Sequence, residues 1–347
     1  MENKKKKDVR ALTKEQLRAF FTAQGDQAFR GNQVYEWLWQ KGAHSFDAMT
    51  NISKETRLLL DTNFVINHIK VDQMQRSKDG TIKNAVRLHD GLVVESVLIP
   101  TAKRTTACVS SQVGCSLDCR FCATARLKRM RNLNPDEIYD QVVAIDNESR
   151  LYFNRPLSNI VFMGMGEPLM NYNNVLKAIE KITSVEGLGM SPKRITVSTS
   201  GVPKMIKKMA DQRVKFKLAV SLHSAIEETR TSIMPFNATF TLQDLREALE
   251  YWYRETKSRI TYEYVVWKDV NDSQKDIDAL VDFCRFAPSK VNLIEYNPID
   301  DGEFQQAPTS VIDRYVECLE QNGITVTVRR SRGKDIDAAC GQLANKS

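Results

Sequence analysis

No stretch of the 347 residues approaches the ~18 uninterrupted apolar positions that a membrane-spanning helix needs, so a soluble chain with no membrane partner is expected. The basic start, "MENKKKKDVR", is followed by neither an apolar run nor a small-residue cleavage site. That speaks against a secretory signal and leaves the cytoplasm as the expected compartment. The seven cysteines are an odd number, and in a long chain without an export signal this argues against a disulfide framework and for metal binding or catalysis. No long-period repeat or low-complexity stretch stands out beyond the lysine tetrad of the start.

What is present is globular. Apolar residues make up 42% and charged residues 27% of the chain, enough for one large domain with a smaller one beside it. A net charge of +7 is moderate, but the positive residues cluster. Lys4 to Lys7 open the chain; Arg126, Lys128, Arg129 and Arg131 follow a cysteine cluster; Arg329, Arg330, Arg332 and Lys334 lie near the carboxyl end. Clusters beside reactive residues favour a polyanionic partner.

Residues 1–70 read as a small helical module. Thr13 and Gln16 form a capping box before Leu17, Phe20 and Phe21, and "NQVYEWLWQKG" carries Val34, Leu38 and Trp39 at helical spacing. Over 71–100 short alternating runs take over, with Asp79-Gly80 and Asp90-Gly91 as hairpin turns, so that a β-meander linker is expected. From 101 to 347, strand-like runs alternate with helical stretches. "RTTACVSS", "NIVFMG", "RITVSTSG", "KFKLAVSLHS", "ITYEYVVW", "KVNLIEYN" and "ITVTVRR" are the strands, and Asn134-Pro135-Asp136-Glu137 starts a helix. Such alternation predicts an α/β fold with parallel strands joined by crossover helices, as in a full or partial barrel. In these folds chemistry sits at the carboxyl ends of strands, where Gly166-Glu167, Ser198, Ser221-Leu222-His223 and Asn297 fall.

The motif "GCSLDCRFCAT" places Cys115, Cys119 and Cys122 within eight positions. A structural zinc site wants four tetrahedral ligands, commonly two cysteine pairs, and here no second pair exists. Iron-sulfur clusters are held by thiolates, and three thiolates leave one iron with an open position that invites a substrate or cofactor. Two further thiols are unexplained by packing patterns: Cys108, just before the cluster loop, and Cys340 in "DIDAACGQL", where no bulky apolar pattern surrounds it. Cys284 and Cys318 sit on helical stretches and read as core.

"CSLDCRFC" resembles the signature of radical S-adenosylmethionine enzymes. Together with "FRGNQVYEWLWQKG", "GMGEPLMN", "VSTSGV", "AVSLHS", "EYNP" and "DIDAACGQL", the whole chain is similar to the branch of RNA methyltransferases that modify C2 of adenine. The resemblance implies a partial (β/α)6-type barrel carrying a [4Fe-4S] cluster on Cys115, Cys119 and Cys122. It assigns Gly166, Glu167, Ser198, Ser221, Leu222, His223 and Asn297 to S-adenosylmethionine, of which two molecules are used per turnover. It implies that Cys340 is methylated by displacement and that a second cofactor molecule generates a radical which takes hydrogen from the methylcysteine. The carbon radical adds to adenine C2, and Cys108 attacks the sulfur of Cys340 to release the product as a transient disulfide. Glu95 in "VVESVLIP" matches the acid/base position, although by its place in the strand alone it reads as a solvent-facing carboxylate.

The substrates implied are 23S rRNA and an adenine beside the anticodon of some tRNAs. The expected partners are a low-potential electron donor and a thiol reductant. The basic clusters are expected on phosphates. Aromatics of the helical module such as Phe29, Tyr35 and Trp39 read as core. Two alternatives remain: the related branch that methylates C8 of the same ribosomal adenine and confers antibiotic resistance, and a non-catalytic iron-sulfur or zinc RNA-binding protein.

Overall fold

A computed structural model describes residues 6–299 and 302–345, so Lys4 and Lys5 of the basic start lie outside the described residues. Its centre is one ten-stranded sheet in which spatial order follows chain order. The strands are β1 (Lys70–Arg76), β2 (Ile82–Arg87), β3 (Val93–Pro100), β4 (Thr105–Cys108), β5 (Asn159–Phe162), β6 (Ile195–Thr199), β7 (Lys217–Ser221), β8 (Ile260–Val265), β9 (Ser289–Ile294) and β10 (Thr325–Arg329). β1 to β4 pair antiparallel, and β4 to β10 are parallel throughout. The expected meander is therefore an extension of the barrel sheet, continuous with it through β3 and β4. Its hairpins turn at Gly80 (φ +87°) and Gly91 (φ +85°), a backbone region that glycine enters without a Cβ penalty.

Ten α-helices occur among the described residues. α1 (Lys14–Ala23), α2 (Phe29–Trp39) and α3 (Lys54–Asn63) form the amino-terminal module. The six crossovers between parallel strands carry α4 (Pro135–Phe153), α5 (Tyr172–Thr183), α6 (Pro203–Asp211), the pair α7 (Glu227–Ile233) and α8 (Leu242–Thr256), α9 (Gln274–Phe283), and α10 (Thr309–Gln321). α4 starts where the local signals place it: Asn134 and Glu137 form a reciprocal capping box around Pro135. Parallel strands are covered by helices and bury both faces, which is why Val197, Leu218, Val220, Val291 and Leu293 are inaccessible. The outer strand β1 carries mostly exposed charged and polar side chains that discourage edge pairing.

The module packs closely on itself and on the barrel. A Cβ on Gly31 of α2 would stand 2.5 Å from the Arg18 nitrogen of α1, so only glycine permits that helix crossing. Tyr35 and Trp39 are buried, but Phe29 is exposed and corrects its reading as core. Arg10 is buried at the junction, 2.7 Å from Asp140 and 3.2 Å from Asp136 of α4, and its guanidinium also reaches the Asn67 carbonyl. Trp39 covers it at 5.9 Å and Tyr139 of α4 donates to the Trp39 carbonyl. No helix among the described residues is long and apolar enough to cross a membrane.

Candidate active site

The carboxyl ends of β5 to β9 and the cysteine loop after β4 surround a cleft. Cys115, Cys119 and Cys122 line it, opposite Gly166, Glu167, Ser198, Ser221, His223 and Asn297. The loop is anchored at both ends. Gly114 adopts φ +72° and a Cβ there would meet the Lys128 carbonyl at 2.4 Å, which allows Cys115 to bridge to Lys128. Leu117 and Cys119 pack into an apolar cluster with Ile233, Met234, Trp267 and Phe304. Burial pushes the Cys115 thiol up to about 12 and Cys119 well above its ordinary value.

Behind the cofactor-facing turn, Ser110 Oγ accepts from Met165 N at 2.8 Å and Gln112 Oε1 from Glu167 N at 2.8 Å. Gly166 sits at φ +92°, with Gln112 Cβ 2.4 Å from where its own Cβ would be. Glu167 is held by backbone N–H groups of Leu169 at 3.0 Å and Ser200 at 2.8 Å. Burial raises its carboxyl above the usual range while those bonds oppose the rise. His223 has φ +57°, and its Nδ1 accepts from Val265 N at 3.1 Å. Burial drives its imidazole down to about 3, so it is neutral at physiological pH. Its ring meets Phe121 edge-on at 4.7 Å, beside the cysteines. Leu222 is wholly buried and does not line the cleft; its carbonyl accepts from Arg230 Nε at 3.2 Å.

A second cleft adjoins the first and shares Cys122, Met163, Gly164, Cys340 and Gly341 with it. Cys340 lines both, and Cys108 lines the second together with Arg104, Arg329, Arg330 and Arg332. Burial pushes the Cys108 thiol up to about 12. Cys340 is exposed, and the nearby Arg329 guanidinium favours its thiolate. Glu95 lines neither cleft. It is 2% exposed, which corrects the solvent-facing reading, and it pairs with Lys83 at 3.3 Å. Cys284 is buried and Cys318 packs against the core, as their helical settings lead one to expect.

Three functional neighbours escape sequence reasoning. Glu263 of β8 lines the first cleft, accepts from Asn292 Nδ2 at 2.8 Å and faces Arg329 at 3.4 Å. Arg230, fully buried, donates to the carbonyls of Ser200 at 2.6 Å and Leu222, tying two strand ends together. Asn271 donates to the His223 carbonyl at 2.6 Å and fixes the strained turn. Nothing in the local sequence singles them out: Arg230 lies among Glu228, Thr229, Thr231 and Ser232, and Asn271 between Val270 and Asp272. Of the basic run after the cysteines, Arg131 is already engaged, bidentate with Glu137 at 2.7 and 2.8 Å and with Asp90 at 2.6 Å.

The residues fit a thiolate-held cluster and a zwitterionic cofactor. Among the described residues no three His, Cys, Asp or Glu side chains converge as a single metal ion requires; Cys115, Cys119 and Cys122 line one cleft together, and thiolates are the ligands of iron-sulfur clusters. Next to them lie a buried carboxylate, Glu167, and an unpartnered buried oxygen, Asn297 Oδ1.

Fold and site together define a radical S-adenosylmethionine enzyme: residues 109–284 match the radical SAM superfamily model. Residues 7–66 match the ribosomal RNA large subunit methyltransferase N-terminal domain. A radical SAM methyltransferase from Sphaerobacter thermophilus superimposes with a TM-score of 0.91 at 38% identity, covering 97% of this chain and 99% of that one. The probable dual-specificity RNA methyltransferase RlmN of Christiangramia forsetii is 80% identical over 99% of this chain and 97% of its own length. That of Flavobacterium johnsoniae is 77% identical over 98% of each. The chain belongs to the RlmN family of dual-specificity RNA methyltransferases, whose radical SAM membership brings a [4Fe-4S] cluster, S-adenosylmethionine and RNA substrates.

Proposed function

We propose that this enzyme methylates C2 of one adenine in 23S rRNA and of an adenine beside the anticodon of certain tRNAs, in the cytoplasm. One observation supports the reading above all: Cys340 lines both clefts, beside Cys115, Cys119 and Cys122 in the first and beside Cys108 in the second. Cys115, Cys119 and Cys122 would hold the cluster, and Glu167, Asn297 and the strand-end serines would hold S-adenosylmethionine by its charged methionyl groups. When bound, cluster and cofactor supply a methyl group and, after one-electron reduction by a low-potential donor, abstraction of a hydrogen atom.

The chain's own residues do the rest. The Cys340 thiolate accepts the methyl group; after loss of a hydrogen atom its carbon would bridge sulfur to adenine C2, and the one unpaired electron of that adduct would pass back to the cluster. Glu95 removes the C2 proton. The Cys108 thiolate attacks the Cys340 sulfur, the electron pair of the broken sulfur–carbon bond stays with the carbon and takes up a proton to complete the methyl group, and a Cys108–Cys340 disulfide remains for a thiol reductant. The RNA would reach the second cleft with its phosphates on Arg104, Arg330 and Arg332, the target base turned out of its stack. Digestion of RNA treated with reconstituted enzyme, followed by mass spectrometry, tests the reading. 2-Methyladenine is expected; 8-methyladenine or no methylated base contradicts it.

A further inference from the structure

The segment that carries Cys340 is held down by the residue proposed for proton transfer. One oxygen of Glu95 faces Lys83 Nζ at 3.3 Å; the other accepts the backbone N–H groups of Ala344 at 2.8 Å and Asn345 at 3.1 Å. Asn345 also donates from its side chain to the Val93 carbonyl at 2.8 Å, and Lys83 reaches the Asp337 carbonyl at 3.5 Å. Between these points Cys340 is steadied by bonds to the carbonyls around it: Asn297 donates to that of Cys340 at 3.3 Å, Ala123 N to Gly341 at 2.8 Å and Thr124 to Leu343 at 2.6 Å. A carboxylate that faces an ammonium and accepts two backbone N–H groups has its strong acceptor positions filled. It cannot reach a base in the second cleft while the tail lies on it.

We infer that Glu95 has two alternative partners, the carboxyl-terminal tail and the adenine, and that Lys83, Glu95 and the N–H pair of Ala344 and Asn345 form a latch. Closed, in the RNA-free enzyme, the latch keeps Cys340 against the cofactor cleft for methylation. Open, with RNA seated, it frees Glu95 for the C2 proton. Lys83 is a positioning residue in this scheme, acting through Glu95. The inference rests on the proposed roles of Glu95 and Cys340. It carries a thermodynamic consequence: if RNA binding opens the latch, a broken latch must tighten RNA binding, because the opening no longer opposes it.

Asn345→Pro breaks the latch without touching the site. Asn345 has φ +53°, which proline cannot adopt, and the substitution removes one of the two N–H donors. Although Cys340 is already exposed, its alkylation by iodoacetamide in RNA-free protein should accelerate as its segment gains freedom, and its cofactor-dependent methylation should slow. Binding of a target RNA hairpin should tighten by roughly fivefold or more, the lower end of coupling between linked sites. Opposite movement of these two functions is not what a merely structural lesion gives, and unreacted Cys284, buried in the core, reports that the fold is intact. Lys83→Met, which leaves the chain end unchanged, should shift both readouts in the same directions. Unchanged labelling with unchanged affinity would overturn the latch, and so would weaker RNA binding, which would make the tail part of the RNA surface. Absence of Cys340 methylation in the unsubstituted enzyme would instead sink the carrier role, while labelling and affinity still decide the latch.

Discussion

The junction between the helical module and the barrel buries charge, and so does the cleft at the strand ends, but the two use it differently. At the junction Arg10 is packed between Asp136 and Asp140 under Trp39. In the cleft Glu167 and Glu263 are equally buried and partly bonded, Glu167 by two backbone N–H groups and Glu263 by Asn292 and Arg329, but both also line open space, with the Asn297 oxygen unpartnered beside them. Charge packed against charge orients two parts of a molecule; charge facing space awaits a ligand. Buried titratable groups mark a functional site only in the second situation.

The contrast is sharpened most by deleting a ligand from the cleft. Cys119→Ala should lose the iron-sulfur absorbance of anaerobically purified protein and all RNA methylation, with the fold retained; a full complement of iron and sulfide would remove the cluster assignment. At the junction Arg10→Met leaves two carboxylates without their cation. It should cost about 3–5 kcal/mol in urea unfolding and leave cluster assembly in the folded fraction unchanged. A neutral effect would mean that the junction is not held by charge.

Between these lies the surface. Replacing Arg330 and Arg332 by alanine should flatten the salt dependence of RNA binding by roughly 0.7 to 0.9 log units per lost contact. Arg131→Ala should leave the slope unchanged, since its guanidinium is committed to Glu137 and Asp90. A further effect is expected on acid stability. His223 is held near 3, below its ordinary value, so the unfolded chain binds a proton that the folded chain refuses. Its share of stability is complete above about pH 6.5 and is lost as pH falls from there towards 3. His223→Asn, which tolerates the positive φ, should flatten that loss in chemical unfolding; an identical pH profile would contradict the neutral buried imidazole.

What could be read from sequence is what local chemistry determines. The Asn134 to Glu137 cap, the glycine turns of the meander, each parallel strand and the cysteine triplet all depend on neighbours within a few positions. What could not be read depends on partners brought together by the fold. Arg10 meets Asp140 across 130 positions, Glu263 meets Arg329 across 66, and Glu95 meets Ala344 across 249. Glu95 shows the difference best: its place in an alternating strand suggests water, and only the returning tail explains why it is buried. Arg131 errs in the other direction, since a basic run looks available until Glu137 is seen to occupy one of its members.

The division of labour between two thiols lining one cleft is tested most directly by Cys108→Ala incubated with S-adenosylmethionine, reductant and RNA. Cys340 can still be methylated and joined to adenine, but no thiolate remains to release it. Protein should therefore accumulate as an RNA adduct that survives denaturant, migrates as a larger species on a gel and shrinks under nuclease. Normal turnover by Cys108→Ala, with free methylated RNA and no adduct, would contradict the account.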